Sequence, residues 1–152
     1  MLEVTTNPYT SADRIDCLKV FDTNIPKFFA KDERAIFAEF LDGPVLKRPY
    51  LVLQIKDEVV ACGGLKVLEK GKIAFLSWGM VAQPYHGKGI GRVLTEARLC
   101  LARQTTGITK VTLNTSQHTK GFYEKFGFVP VKSTPNGYGP GLDRWDMALQ
   151  LT

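Results

Sequence analysis

Apolar side chains change their spacing several times along this chain, and each change marks an element. Leu2 to Thr6 alternates weakly as a first strand, which Asn7-Pro8 should break. Ser11 or Asp13 heads a helix over about Ala12 to Phe21, with Ile15, Leu18 and Phe21 or Cys17 and Val20 turned inward. After Pro26, Asp32 caps a second helix in which Ile36, Phe37, Phe40 and Leu41 repeat at helical spacing until Gly43-Pro44. The period then drops to that of strands. Tyr50 to Ile55, Val59 to Leu68 (loosened by Gly63-Gly64) and Ile73 to Val81 are separated only by turns, which predicts an antiparallel meander. Helical spacing returns from Gly89 to about Gln104, where Ile90, Val93, Leu94, Ala97 and Leu101 share a face. Lys110 to Asn114 reads as a short strand and Thr119 to Phe126 as a short helix ended by Gly127. Phe128 to Val131 begins a strand, Pro135 to Gly141 reads as a loop, and Leu142 to Leu151 closes the chain as a strand.

The order is strand, two helices, three strands, helix, strand, helix, two strands. That is the pattern of an α+β fold, a mixed sheet with helices on its faces. A length of 152 residues with 44% apolar content suits a single domain over residues 1–152 with a real core. No run reaches the roughly 20 apolar residues of a membrane span, and the N-terminus lacks a basic region followed by an apolar one, so neither a membrane nor a secretory signal is expected. Cys17, Cys62 and Cys100 are odd in number and embedded in apolar runs. They read as reduced, buried thiols of a cytoplasmic protein. Without CxxC or a His/Cys cluster, no metal site is expected.

The net charge of +5 suits either surplus surface lysine or a polyanionic ligand. With no concentrated basic helix, nucleic acid is the weaker choice. The glycines narrow the ligand further. Gly87, Gly89 and Gly91 lie between a strand and the most periodic helix, with Lys88 and Arg92 beside them. Glycine admits positive φ and close backbone approach, and the helix start offers free N–H groups and a positive dipole end. A plain structural turn would use the same residues. The GxGxG spacing fits neither a Walker A loop nor the GxGxxG dinucleotide fingerprint.

His86-Gly87-Lys88-Gly89-Ile90-Gly91 after an apolar strand resembles the acyl-CoA loop of the GNAT superfamily of N-acetyltransferases, (Gln/Arg)-x-x-Gly-x-(Gly/Ala), with His86 departing from its first position. A second block, Thr115 to Phe128, resembles the family's Asn-x-x-Ala-x-x-x-Tyr-Glu-Lys-x-Gly-Phe segment. There Ser116 replaces Asn, Thr119 replaces Ala, Asn114 lies two residues earlier, and Tyr123 and Gly127-Phe128 keep their places. The resemblance implies a mostly antiparallel twisted sheet of about six or seven strands flanked by about four helices. It also implies an acetyl-CoA-dependent N-acetyltransferase without a metal, working by direct attack of an amine in a ternary complex.

What the resemblance implies for individual residues is as follows. Backbone groups of Met80 and Val81 would bond pantetheine where their strand splays from Val111 to Leu113. His86, Gly87, Lys88, Gly89, Ile90, Gly91 and Arg92 would hold the pyrophosphate, Asn114 and Ser116 would line the cofactor site, and Tyr123 would be the general acid. Gly79 would ease a bulge. The general base is left open among His118, Asp143, Glu69 and water. The acceptor is an amine of a small molecule, peptide or protein, and a homodimer through the late strands is compatible. A non-catalytic acyl-CoA-binding regulatory module is the alternative.

Overall fold

The computed structural model describes residues 3–68, 70 and 72–151. The β-branched and aromatic runs form one seven-stranded sheet in the order β1-β2-β3-β4-β5-β7-β6. Its strands are β1 Thr5–Pro8, β2 Tyr50–Ile55, β3 Glu58–Leu68, β4 Ile73–Val81, β5 Lys110–Thr115, β6 Val129–Gly139 and β7 Leu142–Gln150. All neighbours are antiparallel except β4 and β5, so the meander β2-β3-β4 stands as the turn-separated runs predict. The helices are α1 Arg14–Asp22, α2 Glu33–Asp42, α3 Ile90–Gln104 and α4 Lys120–Glu124, with 3-10 turns at Ser11–Asp13, Pro44–Lys47 and Gln83–Tyr85. Among the described residues, no helix is long and apolar enough to cross a membrane.

Period two along the strands sorts side chains between two faces. Tyr50, Val52, Cys62 and Met80 meet Cys17, Phe21, Phe37 and Phe40 of α1 and α2. Leu53, Ile55 and Val60 meet Ile90 and Leu94 of α3. Further along, Leu99 and Ala102 of α3 pack with Leu65, Ala74, Val111, Phe128 and Met147.

Several sequence expectations give way. Asn7 and Pro8 lie inside β1, opposite Val52 and Leu51, because proline is tolerated on an edge strand; Leu2 lies outside the described residues. Pro135 to Gly139 continue β6, and only the Pro140-Gly141 turn separates it from β7. Asn136 and Gly141 there have φ of 55° and 80°, and Asn136 Oδ1 accepts the Gly141 N–H, so turn-forming residues serve an irregular hairpin. Ile15, Ile36 and Val93 are exposed, and so is Cys100. On α3 the buried stripe instead takes in Thr95 and Arg98, which apolar periodicity passes over.

Candidate active site

The cleft opens where β4 and β5 part. These parallel strands pair only through Ile73, Ala74 and Phe75 opposite Lys110, Val111 and Thr112. Beyond them Ser77 to Val81 and Leu113 to Ser116 become two walls of a cavity of about 780 Å³, within the range of small-molecule sites. A bulge shapes the β4 wall. Cys62 faces Met80 but Gly64 faces Ser77, so β4 carries one more residue than β3 over this stretch. The residue in the left-handed region is Trp78, at φ 47°, not Gly79. The Tyr50 hydroxyl donates to the Trp78 carbonyl at 2.7 Å, and the indole packs 5.0 Å from Phe37, which together hold this backbone in place. Gly79 is required for another reason: a Cβ there would lie 2.5 to 2.7 Å from the guanidinium atoms of Arg98.

At the end of β4 the chain is fastened by the close of α1. Asn24, buried, donates from Nδ2 to the carbonyls of Val20 and Val81, both at 2.9 Å. His86 Nε2 lies 2.8 Å from the same Val81 oxygen. A carbonyl can only accept, so this nitrogen carries the proton. Both lone pairs of the Val81 carbonyl are thereby used, and that oxygen is closed to a ligand. His86 thus acts on the loop's anchorage, with Phe28 edge-on to its ring at 5.0 Å.

Gly87 and Gly89 have φ of 76° and 83°, and nothing lies within 4 Å of a Cβ built on either. They are glycines for their backbone conformation, and they face open space. Gly89 is the N-cap of α3, without a side-chain cap. The first N–H groups of the helix therefore have no partner within it, and this positive end of the dipole starts at glycines that line the cleft. Such a terminus suits phosphate oxygens. Gly91 answers a packing need: a Cβ would come 3.3 Å from the Phe122 ring of α4.

The structure brings Met80, Val81, His86, Gly87, Gly89, Gly91, Asn114, Ser116 and Tyr123 onto the wall of this one cleft. Lys88, Ile90 and Arg92 stand apart from that wall. Ile90 is buried in the core, so it offers only its backbone. Lys88 and Arg92 are exposed, and Arg92 pairs with Glu96 at 2.8 Å. Ser116 fastens the turn that leads into α4: its carbonyl accepts the N–H groups of Thr119 and Lys120, and its hydroxyl accepts that of His118. Of the candidate bases, His118 is exposed, and Asp143 accepts the Asn136 N–H at 2.9 Å within the β6–β7 hairpin. Neither lies on the cleft wall. Glu69 lies outside the described residues.

Three wall residues are not singled out individually by the sequence: Glu33 and Tyr138 fall in the segments, residues 24–40 and 135–141, from which the acceptor end is expected, and Arg98 falls in neither. Glu33, in the first turn of α2, accepts the Ala30 N–H on Oε1 at 3.2 Å, and burial raises its carboxyl pKa, an effect this hydrogen bond opposes. Its one sequence signal is an acidic residue directly after a helix cap, which ordinarily marks a dipole contact. Tyr138, which the sequence places in a loop, belongs to β6 and donates to Asn114 Oδ1. Arg98 of α3 donates from Nη2 to the Tyr123 hydroxyl at 3.3 Å. Among the described residues no group of three or more His, Cys, Asp and Glu side chains is placed to hold a metal ion.

Comparisons with known proteins bear on the family and the fold. A family model described as an acetyltransferase (GNAT) domain matches residues 47–130. Glucosamine 6-phosphate N-acetyltransferase from Candida albicans is 29% identical over 119 residues, covering 75% of this chain and 78% of that protein. The ribosomal-protein-S18-alanine N-acetyltransferase of Escherichia coli superposes with a TM-score of 0.78 at 18% identity, over 99% of this chain and 95% of that one. The yncA protein of Salmonella typhimurium, solved with its cofactor acetyl-CoA, superposes with a TM-score of 0.77 at 18% identity, over 99% and 95% of the two chains. At these identities the structural likenesses speak for the fold.

Proposed function

Because the chain belongs to the GNAT acetyltransferase family, we propose that its cleft binds acetyl-CoA and passes the acetyl group directly to a primary amine of a small molecule, peptide or protein. The observation that carries this reading is the parting of β4 and β5 after three paired positions, straight onto the uncapped glycine start of α3. The walls fit the coenzyme in kind. Free N–H groups at Ile90 and Gly91 suit its phosphates, with Lys88 and Arg92 at the rim. The unpaired edges of β4 near Met80 and of β5 near Asn114 suit the amides of pantetheine.

In this reading Tyr123 gives its hydroxyl proton to the departing sulfur. Glu33 receives the proton of the incoming ammonium: it is a carboxylate on the cleft wall, and burial raises its affinity for a proton. Phe28, Phe29, Ile36 and Tyr138 line the same cleft and would flank the acceptor. The three free thiols, two of them fully buried, accord with a cytoplasmic site of action. Residues 1–152 would act as one domain. A homodimer through β6 is part of the same proposal, supported by exposed Val129 and Val131 on that edge strand, and sedimentation of the pure protein tests it.

Calorimetric titration with acetyl-CoA, followed by thiol release across a panel of amines and peptides, tests the function. Binding with release on one acceptor class is the expected result. Binding without release on any amine would favour an acyl-CoA-binding regulatory module, and absence of binding would reduce the glycine loop to a structural turn. Tyr123→Phe should lower kcat on the order of 10²-fold while leaving coenzyme affinity within a few-fold.

A further inference from the structure

Arg98 is the largest of the side chains buried to below 2% exposure, itself 1% exposed. It takes part in none of the ion pairs among the described residues. Its Nε is buried without a hydrogen-bond partner, and the side chain lines the cleft. The Tyr123 hydroxyl, 3.3 Å from Nη2, is the side-chain acceptor it reaches. Withdrawing a cation from water is costly unless an anion and full hydrogen bonding replace the solvent, and one long bond to a neutral phenol does neither. Its neighbours on the buried stripe of α3, Leu94, Leu99 and Ala102, show what the core alone would place there. A second position is matched to it: Gly79 leaves the space that its guanidinium occupies, with 2.5 Å from a hypothetical Cβ to Nη2.

We propose that Arg98 is a positioning residue for acetyl transfer, one that aims the Tyr123 hydroxyl and holds the negative charge that forms on its oxygen. The inference rests on the reading of Tyr123 as general acid. The amine nitrogen bonds to the thioester carbon and the carbon–sulfur bond breaks. Sulfur keeps the electron pair and takes the Tyr123 proton. The phenolate oxygen then faces the N–H donors of Arg98, and the proton shed by the acetylated nitrogen restores the hydroxyl. The products are an amide and a free thiol. A donor fixed in advance toward the place where charge develops has most effect in a site poor in water. The unpaired state of Arg98 follows: its counter-charge exists only during the reaction.

The test compares Arg98→Met, Arg98→Lys, Gly79→Ala, Tyr123→Phe and the Arg98→Met/Tyr123→Phe double variant by kcat, coenzyme affinity and Tm. Arg98→Met should lower kcat on the order of 10²-fold, with coenzyme affinity within a few-fold. Its Tm should be equal or higher, since an apolar side chain replaces an unpaired buried charge. Arg98→Lys should recover part of the rate. The double variant should be no slower than Tyr123→Phe alone, because the charge Arg98 serves no longer forms. Gly79→Ala displaces the guanidinium without removing it and should also lower kcat, and it carries the test if Arg98→Met does not fold. Losses that multiply in the double variant, or a fall in Tm with kcat unchanged, would overturn the proposal. An unchanged kcat in Tyr123→Phe would instead sink the acid reading beneath it.

Discussion

The Tyr138 hydroxyl donates to Asn114 Oδ1 at 2.5 Å, tying the β6 edge strand to the β5 wall of the cleft. The two residues are 24 apart in sequence, and β7 lies between their strands. Burial pushes the Tyr138 phenol above its ordinary range, so it remains a neutral donor at any pH the enzyme meets. Asn114 was expected to serve the cofactor, and this bond engages its side-chain oxygen.

Tyr138→Phe keeps the ring and removes that tie. If β6 flanks the acceptor end as proposed, it should raise the KM for the acceptor several-fold and leave acetyl-CoA affinity unchanged in calorimetry. Weakened coenzyme binding with normal acceptor KM would assign the pair to the cofactor side instead.

Gly89→Glu places a carboxylate and a left-handed non-glycine residue at the N-cap of α3, where φ is 83°. The conformation alone costs about 1 to 2 kcal/mol. Since a Cβ meets no neighbour there, the fold should survive, with Tm falling by only a few degrees. Acetyl-CoA binding should disappear from the titration. Retained affinity would show that phosphates lie elsewhere.

Glu33 gives the protein a pH dependence of known sign. Its folded pKa is raised, chiefly by desolvation, with the Ala30 N–H opposing. Folding therefore favours the protonated form: the contribution is fully present below the unfolded value, about 4.3, and is lost as pH rises through the folded one. Because solvent reaches part of the carboxylate, the effect on Tm is small. Glu33→Gln should flatten this part of the Tm profile above pH 4. It should also abolish an acid limb of kcat displaced above the ordinary carboxylate range. A limb that survives the substitution would assign the base to another group.

The thiols should divide one to two. Cys100 is exposed, whereas Cys17 and Cys62 are both 0% exposed. The hydrogen bond with Cys62 and then burial push the Cys17 thiol up, away from thiolate. A disulfide reagent should titrate one thiol in the native protein and three after denaturation. Three fast thiols in the native state would mean that α1 is loosely docked.

The strands were readable because short runs of branched and aromatic residues are bounded by turn residues, as from Tyr50 to Ile55 with Glu58 to Leu68. Helix existence was readable as well, but inward faces were less so. Ile15 and Ile36 obey helical spacing and yet face out, because the surface that α1 and α2 bury is set by the sheet beneath them. The residues that shape the cleft were hardest to see. Arg98 and Glu33 look like solvated charges in the sequence; only the packing of α3 against β4 takes Arg98 out of water, and only the place of α2 on the cleft wall half-buries Glu33. Trp78 bears the left-handed bulge that glycine would ordinarily take, since Tyr50 and Phe37 fix it from outside its own segment.

The three-position pairing of β4 with β5 makes the sheet two leaves joined by a narrow seam. Four strands lie on one side of it and three on the other. A coenzyme bonded to both lips of the cleft would act as a stitch, replacing rungs that the protein itself omits. The free enzyme should then open most readily along this one line, and occupancy should stiffen it. At a hundredfold excess over Kd the gain in stability is about 2.7 kcal/mol. Amide exchange should slow most along the two lips, at Met80 and Asn114, rather than evenly over the molecule. On the proposed reading, substrate and architecture would be coupled through this seam.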